Sequence, residues 1–313
     1  MAQPFRPFAL SARCWRAELC AMKIIVTGSL GNISKPLATK LVQQGHSVTV
    51  VSSKPDKQPE IEALGAAAAI GSVEDADFLA KTFTGADAVY LMVPPKFAVA
   101  DSRAYHQRIG RNYAQAIQRA GVRRVVQLSS WGAHLAAGTG GILGSHDVEG
   151  ILAEVPAIAL TRLRPTSFYT NMFSFAGMIK AAGIIGVNYP GSTRVAFVHQ
   201  SDIAHAAAEE LTTPTPAGLT VRYIASDERT ADEVAQALGA AIGQPDLRWV
   251  PLTDEQMQHN LVSHGLPADR AAEIADIYTS IRTGALGEDY EQHKPTLGKV
   301  KLEDFAKEFA AAF

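Results

Sequence analysis

The chain has 313 residues with a formal net charge of −2, and this near-neutral balance argues against a nucleic-acid-binding protein, which usually carries a basic excess. Hydrophobic residues make up 47% of the chain and charged residues 19%, which favours a globular protein with a sizeable core over a disordered one. With only two cysteines, we expect neither a disulfide scaffold nor a cysteine-rich metal site. The sequence has no apolar run of about 18 residues, so we predict no membrane-spanning helix and expect a cytoplasmic protein.

Residues 1–21 show no periodicity and carry three arginines against one glutamate. They resemble a transit peptide only faintly, and they lack the apolar stretch of a secretory signal. We interpret them as an upstream translation start or a disordered extension, with Met22 opening the folded part. A chain that begins at Met22 should therefore keep its thermal transition and its cofactor binding.

From Met22 onwards, short apolar strands alternate with helices. The predicted strands are Lys23–Thr27, Ser47–Val51, Ala66–Ile70, Ala88–Val93, Arg124–Leu128 and Ala157–Leu163. The predicted helices are Asn32 to about Gln44, Lys57–Leu64, Asp75–Thr82, Ala100–Ala120 and His146–Glu154. Strands that are apolar almost throughout indicate a parallel sheet that helices cover on both faces. This pattern predicts an α/β, doubly wound fold that binds its ligand at the carboxyl ends of the strands.

A glycine loop follows the first predicted strand. Gly28 permits a tight turn there, and Gly31 lets the backbone approach a pyrophosphate at the positive end of the next helix. The spacing is Gly-x-x-Gly-x-x-Ser, so Ser34 stands where the common dinucleotide fingerprint has its third glycine. Because the loop joins a strand to a helix at the start of a βαβ series, we prefer a phosphate loop over a plain turn.

The end of the second predicted strand bears on the choice of cofactor. NAD-specific sites usually place an acid there for the ribose 2′-hydroxyl, whereas this chain has Ser52, Ser53 and Lys54, with Lys57 close behind. Two hydroxyls and an ammonium group suit a 2′-phosphate, so we predict NADP(H) over NAD(H). The alternative is that Lys54 and Lys57 are only the solvated start of a helix.

Several further motifs follow in a fixed order. They are GADAV from Gly85 leading to MVPP from Met92, GVRRVV from Gly121 leading to Ser129, HDVE from His146, LRPTSF from Leu163 with Asn171, DIA from Asp202 and DEVA from Asp232. Together with KIIVTGSLGNIS from Lys23, they resemble the NmrA-like branch of the atypical short-chain dehydrogenases. The resemblance implies a Rossmann domain over 22–165 that binds NAD(P)H, and a small C-terminal substrate-binding lobe over 166–313, helical with short strands. Members of this branch include quinone and azo-compound reductases, and regulators that bind the cofactor without turnover.

The resemblance also implies roles for individual residues. For the pyrophosphate loop these are Gly28, Leu30, Gly31, Asn32 and Ile33. For the adenosine ribose and the adenine edge they are Ser53, Lys54, Ser72 and Val73. For the nicotinamide ribose and the meeting point of nicotinamide and substrate they are Met92, Val93, Pro94, Ser129, Trp131 and Pro165–Phe168. The alternative for Met92, Val93 and Phe168 is ordinary core packing.

One departure from the parent superfamily limits the chemistry. Catalytic short-chain dehydrogenases place a Tyr-x-x-x-Lys pair near the serine that follows the fifth strand, and the tyrosine transfers a proton. Here Ser129 is present, but the span from Trp131 to Glu154 contains no Tyr and no Lys. The literal match Tyr290–Lys294 lies far along the chain, and we reject it as a chance occurrence.

Histidine is the remaining acid–base candidate. His134 and His146 flank a glycine-rich stretch, and Glu149 follows His146 by three residues, so its carboxylate could orient the imidazole. We carry His146 and Ser129 as catalytic candidates, although His146 and Glu149 also fit a helix start without chemistry. Too few ligands occur together here for zinc, and we predict no metal site.

Without a proton donor, reduction of a quinone is easier than reduction of a ketone, because a phenolate product needs no enzymatic acid. We therefore predict hydride transfer from NADPH to a quinone-like or other small electrophilic acceptor. The aromatic stretch Ser167–Met178 either lines the acceptor pocket or forms a core-facing helix.

The rival prediction is a non-catalytic NADP(H) sensor that acts through a protein partner, and a homodimer is a further option. The missing Tyr-x-x-x-Lys pair favours the sensor. An exposed apolar patch within 257–287 would support its partner surface, whereas a closed aromatic pocket over the nicotinamide would support the enzyme. The residues that would form this patch are Met257, Leu261, Leu266, Ile274, Ile277 and Ile281.

Overall fold

The computed structural model describes residues 21–96, 99 and 101–313. The prediction for the leader at 1–21 therefore concerns a segment that lies, apart from its last residue, outside the described residues. No helix of the described part is long and apolar enough to cross a bilayer.

Twelve strands and twelve helices make up the described part of the chain. The strands are β1 (Lys23–Val26), β2 (Ser47–Ser52), β3 (Ala67–Ile70), β4 (Ala88–Leu91), β5 (Arg124–Leu128), β6 (Ala159–Pro165), β7 (Ser167–Phe168), β8 (Ile184–Val187), β9 (Arg194–Val198), β10 (Gly218–Ile224), β11 (Asp227–Thr230) and β12 (Arg248–Pro251). The helices are α1 (Ser34–Gln43), α2 (Gln58–Ala63), α3 (Ala76–Phe83), α4 (Ser102–Ala120), α5 (Leu143–Ala153), α6 (Ala176–Ala182), α7 (Gln200–Thr212), α8 (Ala231–Ala241), α9 (Asp254–Ser263), α10 (Ala268–Arg282), α11 (Glu288–Gln292) and α12 (Leu302–Ala312).

Seven strands form one parallel sheet in the order β10-β6-β5-β4-β1-β2-β3. The strands are buried on both faces because alternate residues enter different cores. Ile24 and Val26 of β1 pack with α1 and α7, whereas Ile25 packs with α3 and α4. The strand order reverses between β1 and β4, and a crevice for a ligand opens at the carboxyl ends of the strands there. The predicted α/β, doubly wound Rossmann fold is confirmed.

Most predicted boundaries agree with the structure to within two residues, and β5 has the predicted bounds. The helix predicted from His146 is the exception, because α5 begins three residues earlier, at Leu143, after a 3-10 turn at Gly140–Ile142. The glycines of this stretch conceal the helix start, since glycine is a poor helix former.

The second half of the chain adds a three-stranded sheet in the order β11-β9-β7 and the pair β12–β8. An aromatic-rich core lies beneath them, in which Tyr169 stacks between Phe197 and Phe305. Two elements of this half, α7 and β10, nevertheless join the core and the edge of the large sheet. The domain boundary at 165 stays a prediction, and the two halves share the parallel sheet.

Candidate functional site

The glycine loop closes tightly at Gly28. Its φ is +96°, and a Cβ there would lie 2.6 Å from Ser34 Oγ and 2.9 Å from Met92 Cγ. Gly31 is exposed, and its N–H donates to the Gly28 carbonyl at 3.2 Å. The N–H groups of Leu30, Asn32 and Ile33 donate to no acceptor among the described residues. These free donors at the start of α1 fit a pyrophosphate. The Ile33 side chain is buried in the core, which leaves only its backbone for a ligand.

Ser34 stands where the common fingerprint has glycine, and helix and strand still pack closely. Its hydroxyl donates to the Thr27 carbonyl at 2.8 Å and is buried between α1 and β1. The Thr27 hydroxyl in turn accepts from the Met92 N–H at 2.9 Å, which joins the ends of β1 and β4. The Met92 carbonyl accepts from the Tyr113 hydroxyl at 2.7 Å. These bonds hold Met92 beside the glycine loop, where the sequence predicts the nicotinamide ribose.

The end of β2 holds hydroxyls and a lysine without an acid. Ser52 is buried, and its hydroxyl accepts from Ser29 Oγ at 2.9 Å and from the Lys54 N–H at 3.2 Å. Ser53 and Lys54 are exposed. Lys57 is paired with Glu60 at 3.0 Å, so Lys54 is the better candidate for a 2′-phosphate contact.

Past β3, Ser72 and Val73 lie in a half-buried turn. The Ser72 hydroxyl accepts from the Glu74 N–H at 3.1 Å, and Asn112 Nδ2 donates to the Val73 carbonyl at 3.2 Å. The Val73 side chain is half-buried against the core beneath α3 and α4, and its contact with an adenine edge stays a prediction. We name the surface formed by Gly28–Ile33, Ser52–Lys54, Ser72–Val73 and Met92–Pro94 the cofactor crevice.

Three of the predicted contact residues pack against one core. Leu30, Met92 and Phe168 are partly buried against the core beneath α1 and α7, while Val93 packs against the core beneath α3 and α4. Phe168 also lines a neighbouring cavity. For these residues core packing and ligand contact are both compatible with the geometry. Pro165 is buried, and its carbonyl accepts from the Trp131 N–H at 3.0 Å.

The hydroxyl of Ser129 is engaged in a buried charge network. It donates to Glu149 Oε1 at 2.5 Å, and Arg164 binds both oxygens of the same carboxylate at 3.0 and 2.7 Å. Since its proton is held by Glu149, Ser129 is left as an acceptor only, and Ser130 rather than Ser129 lines the neighbouring cavity. The geometry gives Ser129 a structural bond, and its catalytic role stays a prediction.

The idea that Glu149 orients His146 is wrong. The imidazole Nδ1 of His146 lies 2.9 Å from the Ala133 carbonyl. Because a carbonyl can only accept, Nδ1 carries the proton in this bond. The Glu149 carboxylate faces Ser129 and Arg164 instead. Neither His146 nor Glu149 lines the cavity, so the structure does not bring His146 to the candidate acceptor site.

The same network reaches the C-terminal half. Arg164 also donates to Asp289 at 2.8 Å, and Asp289 accepts from the Tyr223 hydroxyl at 2.5 Å. Tyr290 lies next to it, with its ring 6.2 Å from that of Trp131. The Tyr290–Lys294 motif is therefore close to the end of β5 in space, and sequence distance was the wrong reason to reject it. Both side chains bind Glu228, at 2.8 and 3.0 Å, so they form no free proton-donating pair.

A cavity of about 760 Å³ lies beyond the ends of β5 and β6. The first part of its wall is polar and follows these strands, with Ser130, Thr166, Ser167, Thr170 and Asn171. The second part comes from α9, α10 and their flanks and is mostly aliphatic. We name this space the acceptor cavity. Phe168, which lines this cavity, also packs against the core beneath α1 and α7 on which Leu30 and Met92 pack.

The apolar residues of 257–287 face this cavity. Its lining includes all six side chains that would have formed the exposed patch, namely Met257, Leu261, Leu266, Ile274, Ile277 and Ile281. The structure therefore places these side chains in a cavity wall and not in the exposed patch that would have supported the sensor prediction. Both alternatives for the aromatic stretch Ser167–Met178 hold in part. Phe168, Phe175 and Met178 line the cavity, whereas Tyr169 is fully buried in the core.

Charged side chains are absent from the described lining of the acceptor cavity, which consists of 25 residues without Asp, Glu, Lys or Arg. Tyr278 contributes a phenol, and burial raises its pKa to about 12. The phenol is therefore neutral across the physiological range. His264 at the rim is exposed, and its Nδ1 lies 2.7 Å from the Asn260 carbonyl.

Two glycines that the sequence analysis left without a role allow the C-terminal half to close over the cavity. A Cβ on Gly140 would lie 2.1 Å from the Glu273 carbonyl oxygen of α10, and one on Gly132 would lie 2.2 Å from Leu286. Both glycines have positive φ. Helix α10 thus packs directly against the glycine-rich stretch that follows β5. The glycine content of this stretch was the signal that could have indicated a close approach of another backbone.

A parallel sheet whose order reverses beside a glycine loop defines a dinucleotide-binding Rossmann protein. The family model described as NAD(P)H-binding matches residues 28–214. This chain therefore belongs to the NAD(P)H-binding family.

Three similar proteins extend this assignment. The "Uncharacterized oxidoreductase YesF" of Bacillus subtilis is 26% identical over 302 residues, which cover 92% of this chain and 95% of that protein. The NAD(P)H azoreductase of Xenophilus azovorans is 25% identical over 294 residues, which cover 93% of this chain and 99% of that protein. The structure of the NADPH-dependent quinone oxidoreductase QOR2 of Escherichia coli with NADPH has a TM-score of 0.78 at 21% identity, covering 91% of this chain and 99% of its own.

The solved structure supports the fold, and the family match and curated relatives support an NAD(P)H-dependent oxidoreductase. The predicted resemblance to the NmrA-like branch is confirmed.

Proposed function

We propose that this protein transfers a hydride from NADPH to an uncharged, quinone-like acceptor bound in the acceptor cavity. The observation that carries the proposal is the position of the apolar side chains of α9 and α10. They enclose a space next to the ends of β5 and β6 instead of forming an external surface. A mostly apolar cavity with a few polar groups, at the carboxyl ends of parallel strands, is typical of a small-molecule site.

The residues of the chain supply position rather than acid–base chemistry in this proposal. When bound, the cofactor supplies the hydride. Gly28, Gly31 and the start of α1 would hold its pyrophosphate, and Met92–Pro94 would support the ribose next to the nicotinamide. Phe168 would contact both cofactor and acceptor, since it lines the acceptor cavity and packs against the same core as Leu30 and Met92. Holding two reactants in contact can account for a large part of a rate enhancement.

The preference for NADPH over NADH is part of the proposal. Its support is the end of β2, where Ser53 and Lys54 are exposed and no acid stands to repel a 2′-phosphate. The remaining cofactor contacts proposed are Leu30, Asn32, Ile33, Ser72, Val73, Ser129 and Pro165.

The test is anaerobic mixing of the purified protein with NADPH and a panel of quinones, followed at the nicotinamide absorbance band. We expect NADPH oxidation with quinones to exceed that with simple ketones by orders of magnitude. Efficient ketone reduction would contradict the proposal, because the phenol of Tyr278 has a pKa that burial raises to about 12, and no lysine in the described lining of the cavity lowers it. Tight NADPH binding without turnover of any quinone would instead support the sensor.

A further inference from the structure

The acceptor cavity is unusual for this chain in having no charge on its walls. Charged residues make up 19% of the whole sequence, yet none of the 25 described lining residues is Asp, Glu, Lys or Arg. Its polar groups are hydroxyls, two side-chain amides, the indole of Trp131 and a phenol whose pKa is raised to about 12. Its one imidazole, His264, is exposed to solvent at the rim.

Three charged side chains that lie close in the chain to lining residues are paired elsewhere. Arg164, two residues before Thr166, is neutralised by Glu149 at 2.7 Å and by Asp289 at 2.8 Å. Asp254, at the start of α9, is paired with Arg282 at 2.7 Å.

On α10, Arg270 is paired with Glu273 at 2.8 Å, directly before the lining residue Ile274. These pairs leave their charges compensated, so none is spare to meet an ionic ligand in the cavity.

An ion without a counter-ion is costly to bury. Removing a sulfonate or a quaternary ammonium group from water costs several kcal/mol in effect, and only a close opposite charge compensates for it. Volume is not the limiting factor, because about 760 Å³ lies in the range of sites that hold drug-sized ligands. Two or three fused rings therefore fit, provided that their substituents are neutral.

We propose that the acceptor cavity selects by charge, binding bulky uncharged aromatic acceptors and rejecting their sulfonated and quaternary ammonium analogues. This inference rests on the proposed function, since it names the class of acceptor for the same site. The polar wall from Ser130 to Asn171 supplies hydrogen bonds to carbonyl oxygens, and the aliphatic wall of α9 and α10 covers the rings.

The first experiment uses three probes that share an anthraquinone core and differ in one substituent: hydroxymethyl, sulfonate or trimethylammoniomethyl. Dissociation constants are measured by equilibrium dialysis with the full-length protein saturated with NADP⁺, so no turnover is required. We expect the neutral probe to bind at least about 100-fold more tightly than either ion. Equal binding of the three probes, or no binding of the neutral one, would overturn the proposal.

The second experiment changes the charge selectivity by adding a charged side chain to the cavity wall. Asn260 of α9 lines the cavity and is half-buried, and Asn260→Asp changes its charge at nearly constant shape. This variant should improve the cationic probe relative to the neutral one by about tenfold and weaken the anionic probe further. Asn260→Lys should do the reverse, and Asn260→Gln is the neutral control. Unaltered ratios in folded charge variants would count against the cavity as the binding site.

Turnover separates this inference from the proposed function. If the charge ranking holds in dialysis but no neutral quinone oxidises NADPH, the catalytic proposal fails and the selectivity stands. If neutral and sulfonated quinones of matched reduction potential are turned over with equal kcat/KM, the selectivity fails and the reductase stands.

Discussion

The cofactor crevice and the acceptor cavity are built from different parts of the chain. The crevice is built mainly from backbone, with the free N–H groups of Leu30, Asn32 and Ile33 at the start of α1. The cavity is built from side chains of segments that lie more than 100 residues apart, such as Ser130 and Ile281. The crevice thus depends on a short local conformation, and the cavity depends on the docking of α9 and α10. Substitutions should therefore damage one site without the other.

The largest effect is expected at the crevice. Gly31→Leu would add a side chain where the loop must approach the pyrophosphate, while its Cβ meets only the Gly28 carbonyl, at 3.1 Å. NADPH affinity should fall by at least about 100-fold, as measured by fluorescence titration. Gly150→Leu is the matched control, because no atom lies within 4 Å of a Cβ there. Undiminished NADPH binding by a folded Gly31→Leu protein would show that the pyrophosphate lies elsewhere.

We expect that a substitution can disrupt the acceptor cavity and leave the cofactor crevice intact. Gly140→Val would drive a side chain into the backbone of α10, 2.1 Å from the Glu273 carbonyl oxygen. The displaced helix should raise KM for quinones by more than about tenfold and lower the melting temperature, with NADPH affinity retained.

Gly121→Val is the control for backbone strain, since Gly121 also has a positive φ, +69°, but no atom lies within 4 Å of a Cβ there. If both variants raise KM equally, strain rather than the seating of α10 is the cause.

A smaller effect is expected within the crevice at Lys54. A phosphate–lysine contact at the surface is worth about 1–2 kcal/mol, so Lys54→Asp should shift the NADPH-to-NADH affinity ratio by roughly tenfold or more. Lys81→Asp makes the same change of net charge in the last turn of α3 and should leave the ratio as it is. A wild-type protein that prefers NADH in titration would exclude the NADP(H) assignment.

The smallest effect is expected at His146. Its Nδ1 bonds to the Ala133 carbonyl and its ring is outside the cavity lining, so His146→Ala should reduce quinone kcat by less than about threefold. The pH profile of kcat should be flat from about pH 6 to 9, because the phenol of Tyr278 keeps its proton below its raised pKa of about 12. A pH transition of the wild-type kcat that the variant abolishes would restore His146 as a catalytic residue.

The parallel sheet and the glycine loop could be predicted because their signals are local. Strands that are buried on both faces are nearly continuous apolar runs in the sequence. Such a run predicts both ends of β5, Arg124 and Leu128. A strand followed by glycines and a helix places free N–H groups together within seven residues, whatever the rest of the chain does. The end of β2 is equally local, since Ser53 and Lys54 directly follow the strand.

Only the tertiary structure decided which side chains meet. Glu149 lies three residues from His146 in the helix, yet the buried guanidinium of Arg164 draws its carboxylate to the other side. Tyr290 is 159 residues from Trp131 in sequence and packs against its ring in space. The apolar residues of α9 and α10 have a helical spacing that suits a core, a partner surface or a cavity wall equally well. Hydrophobic periodicity indicates which face of a helix avoids water, but not what covers that face. The acceptor cavity therefore depends on the tertiary packing of α10 against Gly140, which the sequence pattern does not specify.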